Sequence, residues 1–339
     1  MIDLRSDTVT KPTQEMLDFM MRAEVGDDVF AEDPTVSMFE QKVSELFGME
    51  AGLFVPSGTM SNQLGVKVLT NPGDEILIDH KGHIFNYETG GAGFLSGVQI
   101  NAIQGNKGKL SPDHIKNAVR GGFDWEPSTS VLCLENTTNK GGGVCYSKDE
   151  LIALKSFADQ NNLKVHLDGA RIWNAMVHTS IEPSFFGEIA DTISVCFSKG
   201  LGAPVGSMLL SSKENIAKAR RFRKMWGGGM RQVGLLAAAA DFALDTNYAK
   251  LKKDHERAQQ LAEAVDGCSS LSIDLNSVET NIVIFDVKNE SAVEALVKLE
   301  EKGIRMVPFG PNTIRATFHY QIGDQELEKT KAVIKSIFI

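Results

Sequence analysis

Val195-Cys196-Phe197-Ser198-Lys199-Gly200 closes an apolar, strand-like stretch on a lysine and a glycine. Thirty-one residues upstream, Val165-His166-Leu167-Asp168-Gly169-Ala170-Arg171 closes another on an aspartate. In each, the charged group falls where a strand would hand over to a Gly-flanked turn. Alone, Lys199 reads equally well as a solvated loop lysine. Together the two supply what pyridoxal 5'-phosphate requires: an amine to form a Schiff base with the cofactor aldehyde, and a carboxylate to keep the pyridine nitrogen protonated so that the ring can withdraw electrons.

Two further stretches agree with that chemistry. Pro56-Ser57-Gly58-Thr59-Met60-Ser61-Asn62 follows the apolar run Leu53-Phe54-Val55 and opens a helical pattern through Leu64, Val66, Val68 and Leu69. A small-residue turn at a helix N-terminus offers N–H groups, a hydroxyl and the positive end of a dipole to a phosphate, although an ordinary capped corner has the same look. His83 follows the strand-like Glu75 to Asp79, where an imidazole could stack on a pyridine ring and exchange protons. The His80/His83 spacing brings no third ligand in the local sequence, so no metal is expected.

The strand-like runs at 76–79, 131–134, 163–167, 192–197 and 207–210 alternate with helical segments such as Ser111 to Val119 and Lys148 to Asn161. Such alternation predicts an α/β fold with a mostly parallel sheet, helices on both faces, and a ligand at the strands' C-terminal ends. After about residue 245 the pattern changes. A helix over 248–265 precedes strands at 271–275, 281–287, 304–308 and 313–320, with helices at 291–302 and 324–338. The expected division is a large domain over 1–245 with an N-terminal arm, and a smaller α+β domain over 246–339.

With 339 residues and 42% apolar content the chain can bury a substantial core, and its formal charge of −9 (35 basic against 44 acidic residues) has no basic block to suggest nucleic acid as a partner. Cys133, Cys145, Cys196 and Cys268 show no paired metal spacing. The first residues carry no apolar signal region and no run approaches membrane-spanning length, so the expectation is a soluble, reducing, cytoplasmic setting.

The longer motifs resemble one family. Ile2-Asp3-Leu4-Arg5-Ser6-Asp7-Thr8-Val9-Thr10-Lys11-Pro12, Gly26-Asp27-Asp28-Val29, Glu32-Asp33-Pro34-Thr35, Pro56 to Met60, Asp168 to Arg171, Ser198 to Leu201, Ala203 to Ser207 and Gly227 to Gln232 all look like the low-specificity L-threonine aldolases. These are pyridoxal-phosphate enzymes of the aspartate-aminotransferase-like fold (fold type I), within the β-eliminating lyase superfamily. The resemblance runs in register to about residue 265 and more loosely beyond. It implies retro-aldol cleavage of L-threonine, L-allo-threonine and related β-hydroxy-α-amino acids to glycine and an aldehyde. It also implies cofactor contacts from Gly58, Thr59, His83, Asp168, Arg171, Ser198 and Lys199, with Lys224 and Arg231 reaching a neighbouring subunit's cofactor region in a homotetramer. Arg315 and Ser6 match the groups that hold the substrate carboxylate, with Arg171 nearby. A related lyase that eliminates at the β-carbon, giving an α-keto acid and ammonia, would share the lysine, aspartate and phosphate turn.

Departures from the family pattern bear on substrate. Trp125 stands where many members carry a histidine that helps bind the substrate side chain, Thr138 replaces another histidine, and Phe30 and Asn86 stand at frequently aromatic or tyrosine positions. The expectation is retained cofactor chemistry with altered discrimination between threonine and allo-threonine, or more tolerance of bulky β-substituents.

Overall fold

A computed structural model describes residues 1–338. A two-residue strand, β1 (Ile2–Asp3), opens the chain. There follow β2 (Ala51–Val55), β3 (Glu75–Asp79), β4 (Gln99–Ile103), β5 (Thr129–Glu135), β6 (Lys164–Gly169), β7 (Thr192–Cys196) and β8 (Ser207–Ser211). These seven form one sheet in the order β2-β8-β7-β6-β5-β3-β4. The β4/β3, β3/β5, β5/β6 and β6/β7 pairs are parallel, and only β8 runs against the rest, pairing antiparallel with both β7 and β2. The expected mostly parallel sheet is therefore present, and its central strands are buried on both faces, as parallel strands must be.

Helices cover the sheet for local reasons. Lys148–Gln160 starts on a capping box, in which Ser147 and Glu150 satisfy each other's free backbone N–H, and it turns Leu151, Leu154 and Ala158 inward. Gly58–Leu69 is capped by Ser57, whose Oγ accepts from the Met60 N–H at 3.1 Å, and it packs on β7 and β8. The largest apolar cluster joins the Lys148–Gln160 helix to one face of the sheet and includes Phe54, Leu132, Leu167, Val195 and Trp173, whose indole N–H donates to the Cys196 carbonyl at 2.9 Å.

The C-terminal part contributes β9 (Leu271–Ser272), β10 (Ile282–Val287), β11 (Ile304–Arg305), β12 (Val307–Pro308) and β13 (Thr313–Thr317). β12-β13-β10-β9 make an antiparallel sheet. β11 instead pairs parallel with β1, so the N-terminal arm is stitched onto the C-terminal segment, with Leu4 also donating to the Arg305 carbonyl at 2.8 Å and accepting from the Thr317 N–H at 2.8 Å. Ile2 and Leu4 lie in a second apolar cluster with Phe285, Ile304, Phe318 and Leu327.

Several element boundaries differ from the sequence expectation. The single strand expected over 304–308 is split, because its two halves pair with different partners. The strand over 271–275 stops at Ser272, where the Asp274 carboxylate accepts from the Asn276 N–H and starts a 3-10 turn over Leu275–Ser277. The helix over 111–119 is regular only across Pro112–Ile115. β4 carries alternating polar residues at the sheet edge and shows no apolar run, which hides it from a search for buried strands.

Because Leu4 is fully buried in the second cluster, Leu4→Ala is expected to lower unfolding stability by about 2–5 kcal/mol. Guanidinium melts followed by circular dichroism check this, and a loss under half a kcal/mol would mean that the arm is not packed as described.

Candidate active site

Five of the parallel-running strands release their C-terminal ends to one edge of the sheet. β2 leads to Gly58, β3 to His83, β5 to Asn139, β6 to Asp168 and Arg171, and β7 to Lys199. The Lys199 amine lies 3.8 Å from Cys196 Sγ, and a Cβ placed on Gly58 would come within 2.7 Å of the same sulfur. The helix N-terminus at Gly58 therefore abuts the lysine, and any side chain there would collide with the end of β7. Ser207 Oγ donates to Cys196 Sγ at 3.1 Å.

Asp168 is buried at the end of β6. Its Oδ1 accepts from the Ala170 N–H at 3.0 Å and its Oδ2 from Asn62 Nδ2 at 2.8 Å. The same Asn62 amide donates to Glu88 Oε1 at 2.8 Å, and Gln63 Nε2 donates to Glu88 Oε2 at 2.6 Å. Asn62 is held in turn by His166, whose Nε2 lies 3.2 Å from Asn62 Oδ1 and whose Nδ1 lies 2.9 Å from Thr192 Oγ1. Burial pushes the His166 pKa down to about 4, so the ring is neutral at physiological pH.

Glu88 also meets His83 Nδ1 at 2.9 Å. Burial works against a charged His83 ring. The Glu88 hydrogen bond and the carboxylates of Asp168, Glu88 and Glu135 outweigh it, and the imidazole pKa is raised above its ordinary value. His83, Glu88 and Asp168 bring three groups of metal-ligand type within 4.8 Å of one another, yet amide donors from Asn62, Gln63 and Ala170 already serve both carboxylates. The cluster is hydrogen-bonded as it stands.

The N-terminal arm completes the site. Asp7 is fully buried and takes Arg171 in a two-bond fork, Nε to Oδ2 at 2.8 Å and Nη2 to Oδ1 at 2.7 Å, with Asn281 Nδ2 at 3.3 Å. Burial alone would raise the Asp7 pKa, but the Arg171 charge and hydrogen bonds, with Lys199 and Asn281, hold it at about 2. Thr10 Oγ1 donates to the Lys199 carbonyl at 3.3 Å. Arg315 on β13 reaches across to donate to Asn139 Oδ1 at 2.8 Å and to the Arg5 carbonyl at 3.0 Å, with its plane 4.8 Å from the Phe309 ring centre. Ser6, Thr8, His83, Tyr87, Asn139, Arg171, Lys199, Phe309 and Arg315 line one cleft of about 390 Å³.

Of the residues singled out in the sequence, Ser6, His83, Arg171, Lys199 and Arg315 thus share this cleft, while Asp168 and Gly58 border it through His83 and Cys196. Thr59 is exposed on the first turn of the phosphate-type helix, and Ser198 is half-buried beside Lys199. Lys224 and Arg231 are exposed, with Arg231 paired to Asp27 at 2.8 Å. Trp125 does not reach the cleft within this chain. It is 80% exposed and stacks on Phe123 at 4.9 Å, in the loop that enters β5 at Thr129, whereas the site gathers at the opposite end of that strand. Thr138 is buried with its hydroxyl donating to the Lys107 carbonyl, Asn86 caps the His80 and Gly82 carbonyls, and Phe30 is exposed. None of the four departures lines the cleft; Tyr87, which sequence reading passed over, does.

Asp7, Asn62, Glu88, Glu135 and Asn139 were also missed. Two of them carried a signal: Glu135 ends an apolar run just as Asp168 does, and Asn62-Gln63 are polar where the helix otherwise turns inward.

The residues present fit pyridoxal phosphate. Its phosphate has a glycine-opened helix N-terminus, its aldehyde an amine, its ring nitrogen a buried carboxylate fixed by two donors, and its ring face an imidazole. Arg315 Nε is buried without a partner and lies in the cleft wall, an unused donor of the kind a substrate carboxylate would take.

A family model described as β-eliminating lyase matches residues 3–290. Low-specificity L-threonine aldolase 1 of Arabidopsis thaliana is 40% identical over 336 residues, covering 97% of this chain and 94% of that protein. The low specificity L-threonine aldolase of Escherichia coli K12 is 36% identical over 333 residues, covering 98% of each. Among solved structures, the threonine aldolase of Leishmania major superposes with a TM-score of 0.86 at 19% identity over 99% of each chain. The aspartate aminotransferase of Thermotoga maritima superposes with a TM-score of 0.73 at 17% identity over 99% of this chain and 91% of that one. At such identities these two speak for the fold.

Asp7→Asn leaves the buried Arg171 without its counter-charge and is expected to cost about 3–5 kcal/mol. The native carboxylate has a depressed pKa, so its contribution is present above the unfolded value of 3.8 and lost as pH falls toward about 2. Stability measured between pH 5 and 2 should therefore fall less steeply in the variant than in the parent.

Proposed function

The chain belongs to the β-eliminating lyase family and, within it, to the low-specificity threonine aldolases, and on that premise we infer that it cleaves L-threonine, L-allo-threonine and related β-hydroxy-α-amino acids to glycine and an aldehyde. It is a carbon–carbon lyase whose cofactor is pyridoxal phosphate. The observation that carries the residue assignments is the meeting of Lys199, His83, Arg171 and Arg315 in one cleft, with Asp168 fixed behind it. Bound pyridoxal phosphate supplies an electron sink conjugated to the substrate Cα.

We assign Lys199 as the residue that carries the cofactor as a Schiff base, and the N-terminus of the Gly58–Leu69 helix, with Gly58, Thr59 and Ser198, as the phosphate cradle. Asp168, held by Asn62 and Ala170, keeps a proton at the ring nitrogen. Arg315 takes the substrate carboxylate in a fork, with Ser6 and Arg171 beside it. That clamp would fix the torsion about the substrate Cα–N bond, and with it the direction in which the Cα–Cβ bond points. His83, or a water it holds, takes the proton from the β-hydroxyl as the aldehyde departs. Glu88 holds Nδ1, which leaves Nε2 as the nitrogen for that exchange.

The wider reading follows the same family. The assembly is read as a homotetramer with sites at a dimer interface, to which exposed Lys224 and Arg231 would contribute toward a neighbour's cofactor and Trp125 toward a neighbour's substrate. The chain divides into 1–245 and 246–339, a reading supported by the second apolar cluster, which draws on residues 258–338 together with Ile2 and Leu4. Four buried free cysteines support a reducing, cytoplasmic setting. Among the described residues no helix is long and apolar enough to cross a membrane.

Cofactor-loaded protein incubated with L-threonine and L-allo-threonine is expected to release acetaldehyde and glycine in equal amounts. Pyruvate and ammonia in their place would replace the aldolase reading with β-elimination. Lys199→Ala should abolish turnover and the visible absorbance of the lysine-bound cofactor. The base must be unprotonated, and the His83 pKa is raised, so log(kcat/KM) should climb with pH through an inflection above 6.5. In His83→Asn that limb should disappear; a parent profile flat from pH 6 to 9 would remove His83 as the base.

A further inference from the structure

Glu135 is a buried carboxylate in which each oxygen serves a different loop of the site. Oε2 accepts from the His83 backbone N–H at 2.6 Å, at the free N-terminal end of the short helix His83–Asn86. Oε1 accepts from the Asn139 N–H at 2.7 Å. Asn139 then uses its side-chain oxygen to hold Arg315 Nη1 at 2.8 Å. The loop after β3, the loop after β5 and the arginine on β13 are thereby tied to one side chain.

The placement is costly. Glu135 lies directly beside Asp168 in the β5/β6 register. Burial first, and the Asp168 charge second, raise its pKa to about 7 despite the two N–H donors. A side chain needed only to fill that space would not have to be an acid. Glutamine, nearly the same size, has one acceptor oxygen and an NH2 group, so it cannot receive both N–H groups. Two convergent donors from separate loops call for a group with two acceptors and no donor, which a carboxylate is.

We propose that Glu135 is a positioning residue that couples the imidazole of His83 to the substrate-carboxylate grip of Arg315 through Asn139. This rests on the aldolase reading for the roles of His83 and Arg315, while the coupling itself is a matter of the hydrogen bonds. Displacing either end by a fraction of an ångström moves the reacting bond relative to its base, or the carboxylate relative to its clamp.

The test is Glu135→Gln in the cofactor-loaded protein, with Asn139→Ala beside it. Four quantities are read: bound cofactor per chain, KM and kcat for L-threonine per bound cofactor, glycine Kd by calorimetry, and Tm. For Glu135→Gln the expected result is a KM and glycine Kd raised about 10-fold, with kcat lowered about 10-fold, a combined loss on the scale of a misplaced near-attack geometry. Asn139→Ala severs only the Arg315 branch, so its KM and Kd should rise with a smaller loss of kcat. If Glu135→Gln lowers only Tm or cofactor content, with KM, kcat and Kd per loaded site as in the parent, the residue is structural and the proposal is overturned. Should that variant not fold, Asn139→Ala decides, and an unchanged KM and glycine Kd there would equally overturn it. A parent that binds glycine but releases no aldehyde would sink the aldolase reading alone, since the glycine Kd still reports the coupling.

Discussion

Parallel pairing is the constraint on which the rest depends. Parallel neighbours cannot be joined by a tight turn, so β3, β5 and β6 must each leave the sheet at the C-terminal end and return through a crossover, while β7 leaves at the same end into the loop that turns back as β8. Every such exit occurs on one edge. A lysine, an imidazole, two carboxylates and a glycine-opened helix can therefore meet although they are spread along the chain from Gly58 to Lys199. The reversed strand β8 closes this arrangement without disturbing it, because it contributes Ser207, at its start, to that same edge.

That convergence concentrates negative charge. Asp168, Glu135 and Glu88 all lie buried around His83, a placement tolerable only because each carboxylate is hydrogen-bonded. The compensation differs among them. Asp168 and Glu88 share the Asn62 amide, whereas Glu135 relies on backbone N–H groups. Negative charge around Asp168 favours a protonated ring nitrogen on a cofactor placed there, so the feature that burdens the fold is electrostatically suited to the chemistry. Asp7 and Arg171 solve a similar problem by direct pairing.

What was legible in the sequence follows from the same physics. Lys199, Asp168 and Gly58 announce themselves because a charged or small residue interrupts an apolar run at a turn. Glu88 and Asp7 were not legible as site residues: a polar side chain in a loop or on an arm reads as solvated until tertiary packing buries it. Trp125 is a different case. Its loop enters β5 at the end away from the cleft, so the role that the resemblance implies would have to be met at a neighbouring subunit, which motif spacing within one chain does not report. The split of β11 from β12 was hidden for a related reason, since partner choice is decided by the arm, three hundred residues away.

The arm is also what joins the two sheets. Arg315 sits on the small antiparallel sheet, and Lys199 and Asp168 on the large parallel one. On the proposed assignment, a carboxylate grip fixed to one sheet and a reacting centre fixed to the other would need a rigid joint between them. β1 supplies it by pairing with β11, burying Ile2 and Leu4 in the second apolar cluster and then carrying Asp7 and Thr10 into hydrogen bonds with Arg171 and Lys199, in the turns that leave the large sheet. The Arg5 carbonyl accepts from Arg315 within the same few residues. A segment that looks peripheral by position in the chain thereby sets the distance between the two halves of the site.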